Sequence, residues 1–258
     1  MRVFHADRFS LNLPAGARFP GAKYAMLRRR LLDKGIIEDA MLVPSPSASA
    51  DDIAVAHDPA YVDAIRAGTI GARDMRRIGF PWSVHIWERA AATMGGAVAA
   101  ANAALEDGVS GQLAGGAHHA HFSFGAGYCV FNDFAIAALT LLGAGRVRRI
   151  AIVDLDVHQG DGNAAILKDR DDVFVFSMHG ARNFPFRKEK STLDVELPDG
   201  VEDADYLRTL AELLPAVWAF GPDLILYQAG VDPLETARKG DEARAGGEFA
   251  HSRLGEGG

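Results

Sequence analysis

The feature that most constrains the fold of this chain is a series of short, continuously apolar segments in its second half. They lie at 150–153, 173–176 and 223–227 and consist largely of Ile, Val, Leu and Phe. Strands that are apolar throughout are typical of a parallel sheet whose two faces are both covered. Helical patterns at 132–142 and 206–220 can supply that cover. The pattern predicts an α/β fold with a mainly parallel central sheet flanked by helices, and with ligands at the carboxyl ends of the strands.

The first half of the chain predicts mainly helices. Apolar residues recur at helical spacing over 24–32. Asp58 and Pro59 can provide the N-cap and the first-turn proline of a short helix at 60–67. Ser83 can cap a long, Ala-rich helix. No Pro-rich or Ser-rich linker divides the chain, so we expect a single domain.

Composition and charge exclude several classes of function. The 258 residues carry a formal net charge of −7, so no net positive field favours a phosphate backbone, and we expect no direct nucleic-acid binding. Cys129 is the only cysteine, which rules out an intramolecular disulfide and a thiolate zinc cage. The N-terminal residues do not form a secretory signal, and the apolar run at 134–142 is far shorter than the roughly 20 residues of a membrane span. We therefore expect a soluble, cytoplasmic protein without membrane contact.

Residues with metal-ligand chemistry follow two of the apolar segments. Asp154, Asp156 and His158 occupy alternate positions after the first, and Asp232 follows the segment at 223–227. Residues two apart in extended backbone project to the same side, so Asp156 and His158 can approach one ion together. Two carboxylates and an imidazole suit a catalytic zinc ion, which lowers the pKa of bound water to about 7. An isolated Asp-Gly pair more often forms a turn or a cap, but three polar residues that continue a buried strand need partners, and a metal supplies one.

A pair of histidines lies upstream of this segment. His118 and His119 follow two glycines. A single histidine is more often a core or surface residue than a catalyst, but two adjacent imidazoles can face one cleft. Each needs an acceptor that fixes its tautomer, and Asp154 and Asp161 are the natural candidates. Two oriented imidazoles beside a metal would form an acid/base apparatus for hydrolysis.

Taken together, these motifs resemble the successive signatures of the histone deacetylase superfamily, which includes acetoin-utilisation proteins and acetylpolyamine amidohydrolases. The matching segments are Gly115-Gly-Ala-His118-His119, Gly127-Tyr-Cys-Val-Phe-Asn132-Asp133, Val153 to Gly162, Ser177-Met-His179 and Gln228-Ala-Gly-Val-Asp232-Pro. The segments around Phe19 and Tyr24 resemble the start of the short bacterial and class IV-like members. The resemblance implies an arginase/deacetylase-type three-layer fold. It also implies zinc-dependent hydrolysis of an N-acyl amide, such as an acetylated lysine peptide or a small acylated amine.

The resemblance further implies a role for each of several residues. The family's zinc ligands, which Fe²⁺ could also use, match Asp156, His158 and Asp232. Its catalytic histidines and the carboxylates behind them match His118, His119, Asp154 and Asp161, with His119 as the main general base. Its substrate tunnel matches Gly127, Tyr128 and Phe184, although ordinary core packing is the alternative for the two aromatic residues. Its structural K⁺ site matches Asp154, Asp156, His158, Ser177 and Met178.

The sequence departs from the family pattern in its last part. The family places a tyrosine after a Gly-Gly pair in a later loop, where the hydroxyl polarises the scissile carbonyl, and none of the five tyrosines has this setting. The segment 235–258 contains nine charged residues and six glycines, too polar to offset its ordering entropy. We therefore expect a catalytic domain over 1–234, incomplete at its C-terminal end, and a disordered tail, for which truncation after a frameshift is our interpretation.

Three hypotheses remain in competition at this point. The first is a zinc-dependent deacetylase whose hydrolysis is weakened by the missing tyrosine. The second is a non-catalytic protein that keeps the metal and acyl-amide pocket. The third is an arginase-like enzyme with two manganese ions, which ranks lower because Ala117 and Ala120 flank the histidine pair where further ligands would be required. The sequence does not predict the oligomeric state.

Overall fold

The computed structural model describes residues 1–9, 11, 13, 19–230, 232 and 233 of the chain. The chain divides into two compact units, 1–147 and 148–258. The predicted tail at 235–258 lies outside the described residues, so its disorder stays a prediction, as does the domain boundary at 234. No helix in the described part of the chain is long and apolar enough to cross a membrane.

The first unit contains a small parallel sheet. Its strands are β1 (Arg2–His5), β2 (Leu42–Pro44) and β3 (Ser110–Gln112), in the order β2-β1-β3. Val3 and Phe4 of the central strand are buried, whereas the outer strands are only three residues long. Such short strands carry little periodicity, which is why the sequence did not predict them.

Helices make up most of the rest of this unit. They are α1 (Lys23–Asp33), α2 (Ala50–Ala54), α3 (Pro59–Ala67), α4 (Ala72–Ile78), α5 (Val84–Asp107) and α6 (Asp133–Gly143), with a 3-10 turn at Asp39–Met41. The caps predicted for α3 are confirmed, because Asp58 accepts the N–H of Ala60 and Gly68 ends the helix with φ +74°. The expectation for Ser83 is wrong in one respect. Ser83 is the N-cap of α5, but its side chain makes no capping hydrogen bond.

The long helix α5 forms the centre of the first unit. Its small residues let neighbouring backbone approach closely. A Cβ atom on Gly95 would lie 2.8 Å from the backbone nitrogen of Ala48, and one on Gly96 would lie 2.9 Å from Cβ of Ser45. The two glycines that interrupt the Ala-rich stretch are therefore packing residues inside the helix rather than its end.

The second unit contains a four-stranded sheet. Its strands are β4 (Ile150–Asp154), β5 (Val173–Gly180), β6 (Leu193–Leu197) and β7 (Leu224–Gln228), in the order β6-β5-β4-β7. Every pairing within this sheet is parallel. Residues of β4 and β5 form its core, among them Ala151, Val153, Phe176 and Met178. The predicted parallel arrangement of the apolar segments is confirmed.

Two helices accompany this sheet. They are α7 (Asp161–Leu167) and α8 (Asp203–Ala219). Val217 of α8 is fully buried and belongs to the same hydrophobic core as Phe176. The sequence predicted α8 from residue 206, three residues late. It did not predict β6, whose Leu, Asp, Val, Glu, Leu pattern is that of a partly exposed edge strand.

Candidate active site

The parallel register of the second unit places three polar residues side by side. Asp154, the last residue of β4, pairs with Ser177 on one side and with Gln228 on the other. The segments that leave β4 and β7 therefore start side by side at the carboxyl end of the sheet. This is the location where α/β sheets bind ligands.

The predicted metal ligands Asp156, His158 and Asp232 meet at this edge. One ligand atom from each lies within 4.8 Å of the others. His158 Nδ1 is 3.1 Å from Asp156 Oδ1 and 3.3 Å from Asp232 Oδ2. In a tetrahedral site with metal–ligand bonds of about 2.1 Å, ligand atoms are about 3.4 Å apart. The observed separations fit such a site.

The electrostatics of the group also favour a cation. Burial lowers the pKa of His158, but hydrogen bonds to Asp156 and Asp232 and the charges of these two residues outweigh it and raise the pKa to about 9. The two carboxylates and the imidazole therefore face the same point. Either Zn²⁺ or Fe²⁺ could be held there by one nitrogen and two carboxylate oxygens.

Gly230 explains how the two segments come close enough. A Cβ atom at this position would lie 2.6 Å from Cα of Asp156 and 2.7 Å from its Cβ. Any side chain would force the segment after β7 away from Asp156. The glycine two residues before Asp232 is therefore a requirement of the ligand set.

Backbone hydrogen bonds shape the segment that carries two of the ligands. Asp154 Oδ1 accepts the N–H of Asp156 at 3.1 Å, and Asp156 Oδ1 accepts the N–H of His158 at 2.9 Å. Each carboxylate thus accepts the backbone N–H two residues further along the chain and forms a turn, as Asp side chains commonly do. The alternative that these residues only form turns is therefore partly right. The same geometry also directs Asp156 and His158 to one point.

The remaining predicted residues of the second unit lie around this segment. Asp154 is buried beside Ser177, whose hydroxyl lies 2.9 Å from His179 Nδ1. Met178 is buried in β5, and Asp161 is the first residue of α7. Asp154 and Ser177 are thus neighbours, as the K⁺ site would require. The role of K⁺ itself stays a prediction.

The histidine pair lies in the first unit. His118 and His119 are buried, at 4% and 5% exposure, and their ring centroids are 4.1 Å apart. Asp133 holds the loop before them, because its carboxylate accepts the N–H groups of Gly116 and Ala117, both at 2.9 Å. Burial raises the pKa of Asp133, and these two hydrogen bonds oppose the rise.

The expected tunnel residues Gly127 and Tyr128 share an unusual backbone. Both have positive φ, and Tyr128, at +65°, has it without being glycine. Such a conformation is uncommon and is concentrated at functional sites. The ring of Tyr128 packs against Phe19 and Phe80, each at 5.3 Å between centroids, yet the residue is 41% exposed. It is therefore not a buried core residue.

Phe184, the third tunnel residue, lies in the second unit beside the metal ligands. Its ring centroid is 6.3 Å from that of His158. It belongs to the loop between β5 and β6, which is hydrogen-bonded to the metal-binding segment through Val157 and Gln159. Gln159, Lys188 and Asp133 were not among the predicted site residues. A polar residue directly beside a predicted ligand and a carboxylate at the start of a helix were the signals that could have found Gln159 and Asp133.

Comparison with known proteins agrees with this geometry. The family model described as "Histone deacetylase domain" matches residues 18–245. The chain belongs to the histone deacetylase family. The match extends past the domain end that the sequence analysis placed at 234.

Two relatives are 42% and 29% identical to the chain over the aligned residues. An uncharacterised protein of Picosynechococcus is 42% identical over 89% of this chain and 77% of its own length. Histone deacetylase 2 of Arabidopsis thaliana is 29% identical over 84% of this chain and 59% of its own length. The chain thus spans about three fifths of that plant deacetylase.

Solved structures confirm the fold. The crystal structure of a histone deacetylase homolog from Aquifex aeolicus superposes with a TM-score of 0.78 at 24% identity, over 90% of this chain and 69% of that one. The α/β fold expected from the resemblance is therefore correct.

Proposed function

We propose that this protein is a metal-dependent hydrolase of N-acyl amides, with an acetylated lysine peptide or a small acylated amine as substrate. The observation that carries the proposal is the convergence of Asp156, His158 and Asp232 at the carboxyl end of the sheet. Membership of the histone deacetylase family supports the same chemistry. Zinc, with Fe²⁺ as the alternative, and a cytoplasmic location are parts of the proposal that rest on the sequence.

The metal would supply Lewis acidity toward the acyl carbonyl and activate a water molecule. His119 would accept the proton of that water, and His118 would support the developing charge. The adjacent buried rings of these two histidines support a shared role in one cleft, and the division of roles between them comes from the family resemblance. Asp161 and Asp154 would orient the imidazoles, as the family resemblance implies. A structural K⁺ ion near Asp154 and Ser177 would stabilise the strand ends.

The substrate stem would run along aromatic walls. Tyr128 and Phe184 offer ring faces that suit an apolar methylene chain. The partial exposure of Tyr128 and the position of Phe184 near His158 support this role.

The test is hydrolysis of an acetyl-lysine peptide by the protein loaded with Zn²⁺ or Fe²⁺. An Asp156→Ala variant serves as the control, with metal content measured by elemental analysis in both. Metal-dependent hydrolysis that disappears in the variant would support the proposal. Equal metal content in the two proteins would reject the ligand assignment.

The second candidate is a non-catalytic binder of acyl amides. It is considered because none of the five tyrosines among the 258 residues follows a Gly-Gly pair, the setting of the family's donor to the developing oxyanion. Loss of one such donor lowers kcat by about 10² to 10³-fold in other enzymes. Saturable, metal-dependent binding of an acetyl-lysine peptide without turnover would select this candidate.

A further inference from the structure

The segment 180–189, which comprises the last residue of β5 and most of the loop that leads to β6, is hydrogen-bonded to the metal-binding segment near both of its ends. Near its start, the carbonyl of Val157 accepts the N–H of Gly180 at 2.9 Å and the side-chain amide of Asn183 at 2.5 Å. At its end, Gln159 bonds to Glu189. The two anchor points, Val157 and Gln159, flank the metal ligand His158 directly.

Gln159 is fully buried and uses both ends of its amide. Its Nε2 donates to the carbonyl of Glu189 at 2.7 Å and to Asp194 Oδ1 at 2.9 Å. Its Oε1 accepts the N–H of Glu189 at 2.8 Å. Asp194 is fixed in turn, since its other oxygen accepts the N–H of Ser191 at 2.7 Å. A buried amide whose donor and acceptor groups are both satisfied holds the backbone at Gln159 and the backbone at Glu189 together.

Lys188 links several acceptors within the same loop. Its ammonium group donates to the carbonyl of Asn183 at 2.9 Å, to Asn183 Oδ1 at 3.1 Å and to the carbonyl of Pro185 at 2.9 Å. These three acceptors belong to Asn183 and Pro185, the residues directly before and after Phe184 in the sequence. Burial lowers the pKa of Lys188, and the charges of Glu196 and Asp161 offset only part of this decrease. An ammonium with three convergent acceptors is a stronger tie than a neutral hydrogen bond.

We infer that Lys188 and Gln159 are positioning residues that hold Phe184 at a fixed distance from His158. This inference rests on the proposed function, in which Phe184 is a wall of the substrate tunnel. Lys188 fixes the backbone on both sides of Phe184, and Gln159 ties the end of the same loop to the residue next to His158. The pair holds the wall that Phe184 forms beside the metal ligands without touching the substrate.

The consequence for kinetics differs from that of a purely structural role. A tunnel wall contacts the substrate stem equally in the ground state and in the transition state, so loosening it raises KM and leaves kcat nearly unchanged. General loss of stability would instead lower the active fraction, which lowers apparent kcat at constant KM.

The experiment compares Lys188→Met with Lys190→Met, which removes an exposed lysine from the adjoining segment. In Lys188→Met we expect a rise in KM for an acetyl-lysine peptide of about tenfold, with kcat within twofold. Lys188→Arg, which keeps the charge, should recover part of the KM. A KM in Lys188→Met that equals that of Lys190→Met would overturn the inference.

A second measurement does not depend on hydrolysis. Trypsin can cut the bond after Arg182, because this residue is exposed. The residues directly beside Arg182 in the sequence are the same in both variants. If Lys188 closes the loop, cleavage at this bond should be about tenfold faster in Lys188→Met than in Lys190→Met, because proteolysis follows the population of the open state. Equal cleavage rates would overturn the inference even in an inactive protein. A wild type that hydrolyses no acyl-lysine peptide would reject the proposed function alone.

Discussion

Asp156 Oδ1 accepts the backbone N–H of His158 at 2.9 Å and lies 3.1 Å from the imidazole Nδ1 of the same residue. One carboxylate oxygen therefore fixes both the backbone and the ring of its neighbouring ligand. The ring is held with Nδ1 toward the point that Asp232 also faces. With this preorganisation, the proposed site would bind a metal without first rearranging the segment after β4.

The first prediction concerns this ligand pair. Replacement of His158 by alanine removes the only nitrogen ligand among the three, so affinity for Zn²⁺ should fall by at least about 100-fold. Isothermal titration of the metal-free protein with Zn²⁺ measures the change. His85→Ala is the matched control, because His85 is an exposed histidine on α5. Equal affinities in the two variants would contradict the assignment.

The second prediction concerns Gly230. An alanine there would place Cβ 2.6 Å from Cα of Asp156, so the segment that carries Asp232 must shift away. We expect Zn²⁺ affinity to fall by about tenfold or more, as for other changes that misplace a ligand. Gly143→Ala, with no atom within 4 Å of the added Cβ, is the control and should leave the affinity unchanged. Tight binding by Gly230→Ala would show that the close approach is not needed.

The third prediction concerns Asp133. In Asp133→Asn, the single amide oxygen cannot accept both N–H groups of Gly116 and Ala117, and one of these part-buried donors loses its partner. The free energy of unfolding should fall by about 1–3 kcal/mol, measured by urea denaturation. Asp63→Asn, at an exposed ion pair with Arg66, is the control and should change it by less than about 0.5 kcal/mol. Similar losses in both variants would argue against the loop-holding role.

Much of the second unit was predictable because its two central strands, β4 and β5, are buried on both faces. Uninterrupted apolar strands such as β4 leave no ambiguity about a parallel sheet, and the polar residues that follow them then have a known place. The metal ligands were predicted for this reason. The family resemblance added the roles of His118, His119 and the tunnel residues.

Other parts of the site were not predictable from local pattern. Asp133 acts through backbone N–H groups that are 16 and 17 residues away in the sequence, and Gln159 through Glu189, 30 residues away. Such contacts depend on loop conformation, which neither periodicity nor spacing encodes. The short strands of the first unit were missed for a different reason, since three or four residues are too few to show a period.

The fourth prediction concerns the order of the two histidines. If His119 is the main general base, His119→Ala should lower hydrolysis of an acetyl-lysine peptide by about 10² to 10⁴-fold, and His118→Ala should lower it less. Both variants should keep the Zn²⁺ affinity of the wild type, since neither residue belongs to the ligand group. An unchanged rate in His119→Ala would reject its role, and a larger loss in His118→Ala would reverse the order.

The last prediction concerns stability at acidic pH and depends on His57. This histidine is fully buried, and its Nε2 accepts the N–H of Asn132 at 2.8 Å while Nδ1 lies 2.9 Å from the carbonyl of His121. The ring must be neutral to accept at one nitrogen and donate at the other. Burial lowers the pKa of His57 to about 4, although hydrogen bonds to the carbonyls of Phe122 and His121 oppose the shift.

The sign of the effect follows from proton binding. Between the unfolded pKa of about 6.5 and the folded value, the unfolded chain binds one more proton at this residue, so stability is lost as pH falls. The contribution at pH 4 amounts to about 3 kcal/mol relative to pH 7, at about 1.4 kcal/mol for each pH unit. The free energies of unfolding of wild type and His57→Gln should therefore converge as pH is lowered from 7 to 4, whereas His85→Gln should follow the wild type throughout. A constant difference between wild type and His57→Gln over this range would show that His57 does not titrate as a buried neutral ring.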